Sequence, residues 1–381
     1  MNNQTIKSTR LVKIATATVL FSLLQSCQLN TSNPQATETV VNQPTNVDQI
    51  NPKIVGSPSN QTTPEATKTP DKNAEKSPKR IEMIRKRLEQ IRRFAATKGI
   101  TFTIGDNPAL HRTAEQLAGT MLPADIASKA AVQNTQARKV MKGLGLSEGQ
   151  KLNLCAPNAK SFDWRNYGIV TPVKDQGECG SCWSFSAMAA FESSALYHNN
   201  MKYYQVGSIS DGSEQHLLSC SKGGTCGGGW YGDAMQFMTR KGTVPESMFK
   251  YQGIDAPCRF KGFSPLKPVA WGYVRDDGGI PSVKEMKKAV CEHGPVASAV
   301  YMTDAFIGYR GGTFNQRAQG VSNHAVTVVG WDDKRGAWLI KNSWGTDWGE
   351  NGYMWISYNS NNIGDGAAWV DARKYRFNSS K

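Results

Sequence analysis

Gln176-Gly177-Glu178-Cys179-Gly180-Ser181-Cys182-Trp183-Ser184-Phe185 leads into a run that continues to Tyr197 without Gly or Pro. The run reads as a mostly buried helix, with Cys182 in its first turn. There the free N–H groups and aligned peptide dipoles favour thiolate over thiol. Gly177 and Gly180 let the preceding backbone turn sharply and let a substrate come close. Cys179-x-x-Cys182 taken alone also fits a redox dithiol, but Gln176 and Trp183 flank it and no strand–helix–strand pattern precedes it.

A nucleophilic cysteine needs a base, and the base needs something to orient it. His324 stands at the mouth of an apolar run in Asn323-His324-Ala325-Val326. Asn342 follows one run later, in Lys341-Asn342-Ser343-Trp344-Gly345. A strand, a turn and a return strand bring residues 324 and 342 side by side, so that the amide holds the imidazole. His111, His198, His216 and His293 read as satisfied surface or core residues. There is no His-x-x-x-His helix and no four-ligand cluster in the sequence, so no metal and no cofactor is expected.

Beyond about Phe162 aromatic and glycine content rises. Past about Pro268 short strand-like runs dominate: 296–302, 324–331, 337–341 and 353–358. Helix-rich first and strand-rich second predicts an α+β architecture of two lobes with a cleft between them. Before this catalytic region, residues 151–381, three stretches differ in character. Residues 1–27 carry Lys7, Arg10 and Lys13 ahead of an apolar core, Ile14 to Leu24, too short for a permanent membrane helix. That core ends in Leu24-Gln25-Ser26-Cys27, which resembles a bacterial lipoprotein signal with Cys27 as the lipidated residue; an ordinary cleaved signal is the alternative. Residues 28–79 are polar and proline-rich and read as a disordered tether. In residues 80–150, Ile81, Ile84, Leu88, Ile91 and Phe94 predict an amphipathic helix ending near Gly99. A short strand over 100–104 and a second helix over 124–141 follow. This stretch has apolar faces but little core of its own, so it should dock on something.

The 381-residue chain has a formal net charge of +14, concentrated towards its N-terminal part. No nucleic-acid recognition motif accompanies the charge, which reads as a solvated basic surface. Of the eight cysteines, six remain once Cys27 and one reactive thiol are set aside, enough for three disulfides in an oxidising compartment. Spacing alone leaves their pairing open.

From about Phe162 to Asp371 the sequence resembles the papain family of cysteine peptidases. The likeness rests on Cys179-Gly180-Ser181-Cys182-Trp183 with the distant His324 and Asn342. Asp163-Trp164-Arg165, Thr171-Pro172-Val173-Lys174, Ser213-Glu214-Gln215, Cys226-Gly227-Gly228-Gly229 and the run from Asn342 to Gly349 add to it. The resemblance implies that Cys182 attacks a peptide carbonyl and that His324, paired with it as imidazolium, protonates the leaving amine. It implies that Gln176 and the Cys182 N–H stabilise the oxyanion, one such donor being worth roughly 3–4 kcal/mol. Asn342 then orients His324, and Trp344 shields that hydrogen bond. Gly228 and Gly229 pair with substrate backbone, while Trp230, Ala299 and Ala325 line a side-chain subsite. The family pattern implies disulfides Cys179–Cys226 and Cys220–Cys258, which leaves Cys155 and Cys291 for each other. The family's common bridge near the C-terminus has no cysteines here, and Asp365 stands near its place. Residues 80–150 occupy the position of the inhibitory proregion but lack its usual helix signature, so an unrelated docking module stays open. Protein or peptide substrates are expected for a secreted or envelope zymogen, with the proregion as intramolecular inhibitor. A peptide ligase using the same thioester and an inert binding module are the rival readings.

Overall fold

The computed structural model describes residues 78–146, 154–260 and 266–373. All of them belong to one compact unit, residues 68–381. The expectations for the signal, the tether and Cys27 lie outside the described residues.

The N-terminal stretch folds as α1 (Pro78–Thr97), β1 (Thr103–Ile104), α2 (Ala114–Leu117) and α3 (Ile126–Gly143). α1 buries Ile84, Leu88, Ile91 and Ala95, one stripe at three- and four-residue steps. Each large aliphatic removed from water there contributes about 1.5–3 kcal/mol before chain entropy is counted. α2 begins at a capping box, with Thr113 and Gln116 each satisfying the other's backbone N–H. The edge strand β1 pairs antiparallel with residues 309–311.

The remainder holds β2 (Ser161–Asp163), α4 (Cys182–His198), α5 (Tyr203–Val206), α6 (Glu214–Cys220), β3 (Gly224–Thr225), β4 (Gly228–Gly229) and α7 (Tyr231–Lys241). After these come β5 (Ala270–Tyr273), α8 (Val283–His293), β6 (Val296–Val300), α9 (Asp304–Ile307), β7 (Tyr309–Gly311) and β8 (Thr313–Phe314). The chain closes with β9 (His324–Asp332), β10 (Ala337–Lys341), β11 (Tyr353–Ser357) and β12 (Asp365–Asp371). Most of the helices come before the long strands, with α8 and α9 set among the latter, an α+β fold. The main sheet runs β5-β12-β6-β9-β10-β11-β8, with β2 added to β9.

α4 is buried from Cys182 to Tyr197, which is why its sequence shows no amphipathic period. It packs against both the sheet strands β6, β9 and β12 and the helices α6 and α7. β9 is buried over its first eight residues, so it reads as an unbroken apolar run rather than an alternating one. Near the C-terminus β12 pairs with β5 on one side and β6 on the other, and Asp365 accepts the Ser322 hydroxyl at 2.7 Å. That strand is held by ladder bonds in the region where the family's common disulfide is missing.

Three disulfides join Cys155 to Cys291, Cys179 to Cys226 and Cys220 to Cys258. Among the described residues Cys182 is the free cysteine.

Candidate active site

α4 brings Cys182 to its N-terminal turn, fully buried, behind Ser181. The Ser181 hydroxyl meets the Tyr251 phenol at 2.6 Å, and that phenol donates to the Gln176 carbonyl at 2.8 Å. The loop before the helix is thereby fixed from outside. β9 and β10 lie antiparallel, and their ends set His324 beside Asn342. His324 Nε2 lies 2.8 Å from Asn342 Oδ1, which makes this nitrogen the protonated donor, since a carbonyl oxygen only accepts. His324 Nδ1 has no hydrogen-bond partner. The Trp344 ring stands 4.6 Å from the imidazole, centroid to centroid, and both residues are fully buried. Trp348 and Phe306 pack behind Trp344.

Gln176 is held at both ends of its amide. Its Oε1 accepts the Ser343 hydroxyl at 2.7 Å, so its NH2 group faces the cleft. That group donates to the carbonyls of Gln116, Leu117 and Cys179 at 3.0–3.2 Å.

Two of those carbonyls belong to the N-terminal stretch, which lies along the site. The Thr120 hydroxyl is 3.4 Å from Cys182 Sγ. Met121 N donates to the Gly229 carbonyl at 2.9 Å, and Gly229 N donates to the Gly119 carbonyl at 2.7 Å. Thr120 and Gly229 form a parallel bridge, and the N–H groups of Gly119 and Thr120 donate to the Asn323 carbonyl. The fit requires glycine on both sides. Gly119 has φ +153°, and a Cβ there would sit 1.8 Å from the Gly180 carbonyl oxygen. Beside this crossing Arg112 forks onto Asp175, the neighbour of Gln176, at 2.7 and 2.8 Å.

Trp230, Ala299 and Ala325 are buried in one apolar cluster, against which Leu122 and Ile126 pack. Ala299 and Ala325 are cross-strand partners on β6 and β9. The structure therefore gathers the expected residues 176, 182, 324, 342 and 344 at one place, with Gly228–Trp230, Ala299 and Ala325 beside it. The partners Thr120 and Gly119 carry no local signature, because their contact arises only when distant segments dock.

Burial pushes the Cys182 thiol up to about 11, against a smaller pull from Thr120 and from nearby backbone N–H groups. Burial likewise pushes His324 down to about 4, partly opposed by Asn342 and the Leu117 backbone. Both shifts favour the uncharged forms of the two groups. Desolvation outweighs the helix field here, since no water reaches either charge.

A protein-family model described as papain family cysteine protease matches residues 158–369, more than half of the chain. The chain belongs to this family. As a papain-family member it is a cysteine peptidase, a hydrolase of peptide bonds. Cathepsin J of Rattus norvegicus is 35% identical over 274 residues, covering 68% of this chain and 74% of that protein. Cathepsin L of Sarcophaga peregrina is 39% identical over 213 residues, covering 53% of this chain and 60% of that relative. Among solved structures, digestive procathepsin L2 proteinase from Tenebrio molitor larval midgut aligns with a TM-score of 0.62 and 29% identity. That alignment covers 80% of this chain and 96% of the other. A recombinant stem bromelain precursor gives 0.60 and 25%, covering 81% and 95%. In the described residues no helix is long and apolar enough to cross a membrane.

His198 and His293 are not the satisfied core residues the sequence suggested. Each is buried with one ring nitrogen unpartnered. His216 does find a partner, the Thr243 hydroxyl at 3.0 Å.

Proposed function

We propose that the chain is an endopeptidase made as a zymogen, in which residues 78–146 are the inhibitory proregion. The observation that carries this reading is the seat of Gly119-Thr120-Met121 on Gly229, with the Thr120 hydroxyl against Cys182 Sγ. An extended segment paired to that strip blocks the approach of a substrate backbone. Its parallel bridge aims its peptide bonds away from the orientation an antiparallel substrate strand takes.

Once the segment leaves, Cys182 and His324 regain water, and the helix N-terminus favours the thiolate. Cys182 Sγ then attacks the peptide carbonyl. The Cys182 N–H and the Gln176 amide take the oxyanion, the amide now free of the Gln116 and Leu117 carbonyls. His324 hands its proton to the departing amine, leaving a thioester that water hydrolyses as His324 takes a proton back. Asn342 keeps the ring in position through both transfers. The protein is exported by its N-terminal signal, with Cys27 as the lipid anchor, and cleavage near residues 145–160 frees it from the tether.

Incubation of residues 28–381 with reductant at mildly acidic and at neutral pH tests this. The expected result is loss of the N-terminal third together with turnover of a dipeptidyl fluorogenic substrate, both absent in Cys182→Ala. A shortened chain that remains silent would reject the catalytic assignment. A full-length chain with full activity would reject the inhibitory one.

A further inference from the structure

Gln176 and Cys182 stand at the two ends of a loop, residues 177–181, and an oxyanion bound by both needs those ends in register. The loop holds Gly177 and Gly180, so its backbone has few steric restraints of its own. Tyr251 reaches both ends from outside. Its hydroxyl is 2.6 Å from the Ser181 hydroxyl and 2.8 Å from the Gln176 carbonyl. A phenol has one proton and a carbonyl only accepts, so Tyr251 donates to Gln176 and accepts from Ser181. One oxygen thereby joins the residue that carries the side-chain donor to the residue whose peptide bond carries the Cys182 N–H.

Tyr251 is itself held. Its ring meets Phe185, one turn beyond Cys182 on α4, edge to face, with 4.8 Å between centroids and 82° between planes. Its backbone N–H donates to Glu246 Oε1 at 2.6 Å. Burial pushes the phenol above its ordinary range, so it keeps its proton and donates at acid and neutral pH alike. Gln176 depends on this bond most when the site is open. The Gln116 and Leu117 carbonyls that hold its amide belong to the N-terminal stretch and leave with it. Ser343 stays, its hydroxyl 2.7 Å from Oε1 and its carbonyl accepting the Gln176 N–H at 2.8 Å. Ser343 ties Gln176 to the end of β10, whereas Tyr251 ties it to α4, the helix that carries the nucleophile.

We propose that Tyr251 is a positioning residue for peptide hydrolysis, its hydroxyl keeping the Gln176 amide and the Cys182 N–H converged on one oxyanion. This rests on the oxyanion role given to Gln176 above. Preorganised donors act only at the place where charge develops, and a misplacement of about 1 Å costs up to about 10²-fold in rate. Tyr251 bonds to the residues that carry the donors and not to the reacting atoms. Substrate binding and thiolate formation therefore do not depend on its hydroxyl, whereas stabilisation of the tetrahedral oxygen does.

Tyr251→Phe keeps the ring against Phe185 and removes only the hydroxyl. In the full chain, matured by incubation with reductant and normalised to titratable Cys182, kcat is expected to fall about tenfold with KM little changed. The pH profile of kcat should keep its shape. Alkylation of Cys182 by iodoacetamide, which makes no oxyanion, should keep its rate. In a Gln176→Ala background Tyr251→Phe should cost about twofold or less, because no pair of donors is left to hold in register. An undiminished kcat, an equal loss with and without Gln176, or a parallel fall in alkylation overturns the positioning role. Should Tyr251→Phe fail to fold by circular dichroism, Ser181→Ala breaks the other arm and carries the same cycle with the same outcomes. Gln176→Ala alone tests the reading beneath: if that variant keeps full kcat, the oxyanion assignment itself fails.

Discussion

α3 and α4 are nearly equal in length, 18 and 17 residues, and the fold uses them in opposite ways. α4 is surrounded, buried along sixteen consecutive residues from Cys182 to Tyr197. α3 buries only Ala130, Asn134, Ala137 and Met141, a single stripe. At the centre of that stripe Asn134 Oδ1 accepts from Tyr273 N at 2.7 Å, while its amide donates to Tyr273 O and to Asp276. A core helix is held by area removed from water, which cannot be surrendered without unfolding. A helix mounted on the edge of β5 by a few polar side chains, Asn134 and Gln133 among them, and a narrow stripe can leave, and the edge it covers becomes wet rather than exposed as core. The same contrast separates the whole N-terminal stretch from the part that carries three disulfides.

The largest test of that contrast is Cys182→Ala, which removes the nucleophile while the helix still packs. Turnover is expected to fall by at least about 10⁴-fold, with unchanged thermal unfolding of the uncut chain. Alkylation sharpens the contrast next. While Cys182 sits near 11 it is thiol throughout the neutral range. Iodoacetamide labelling of the uncut chain should therefore rise with pH towards that value. After maturation, labelling should be fast and nearly flat down to acid pH, a difference of up to about 10³-fold at pH 7. Equal rates before and after cutting would mean that the covering segment does not control the thiol.

Gln176→Ala is expected to lower kcat of the mature enzyme about 10²–10³-fold with little change in KM, measured by steady-state kinetics. Gly119→Val acts on the other partner. Its side chain cannot pass the Gly180 carbonyl, so a separate peptide of residues 78–146 carrying it should inhibit the mature enzyme at least about tenfold less well, through loss of the fitted backbone crossing. The smallest effect is expected from Arg112→Ala. That fork onto Asp175 is 15% exposed on the arginine side and 39% on the aspartate, so about 1 kcal/mol, a roughly fivefold weaker inhibition that shrinks with added salt, is the expected outcome.

Much of this architecture was legible beforehand, for reasons specific to each segment. Residues 182–197 lack Gly and Pro and show no period, which suits a helix with no wet face. β9, β10 and β11 were readable as apolar runs bounded by turns. α1 was legible from its stripe. β5 and β12 escaped notice, since Ala270–Tyr273 is short and β12 both starts and ends in aspartate. α8 was missed although Ser282 and Glu285 form a capping box before Met286 and Val290. At the site, Cys182, His324 and Asn342 announce themselves by residue type and context. Thr120 does not, because nothing near it in the chain says that it will meet a thiol. Nor could the shift of the thiol be read, since a helix terminus argues for thiolate and burial pushes the other way.

The Cys155–Cys291 bond has a bearing on how tidy maturation needs to be. It pins the start of the peptidase to α8, across a separation of 136 residues. Cutting enzymes with loose preferences would leave a family of products differing by a few residues at the front. Every product cut ahead of Cys155 keeps the same covalent anchor, so ragged trimming costs the folded enzyme nothing and precision is not demanded of whichever protease does the cutting.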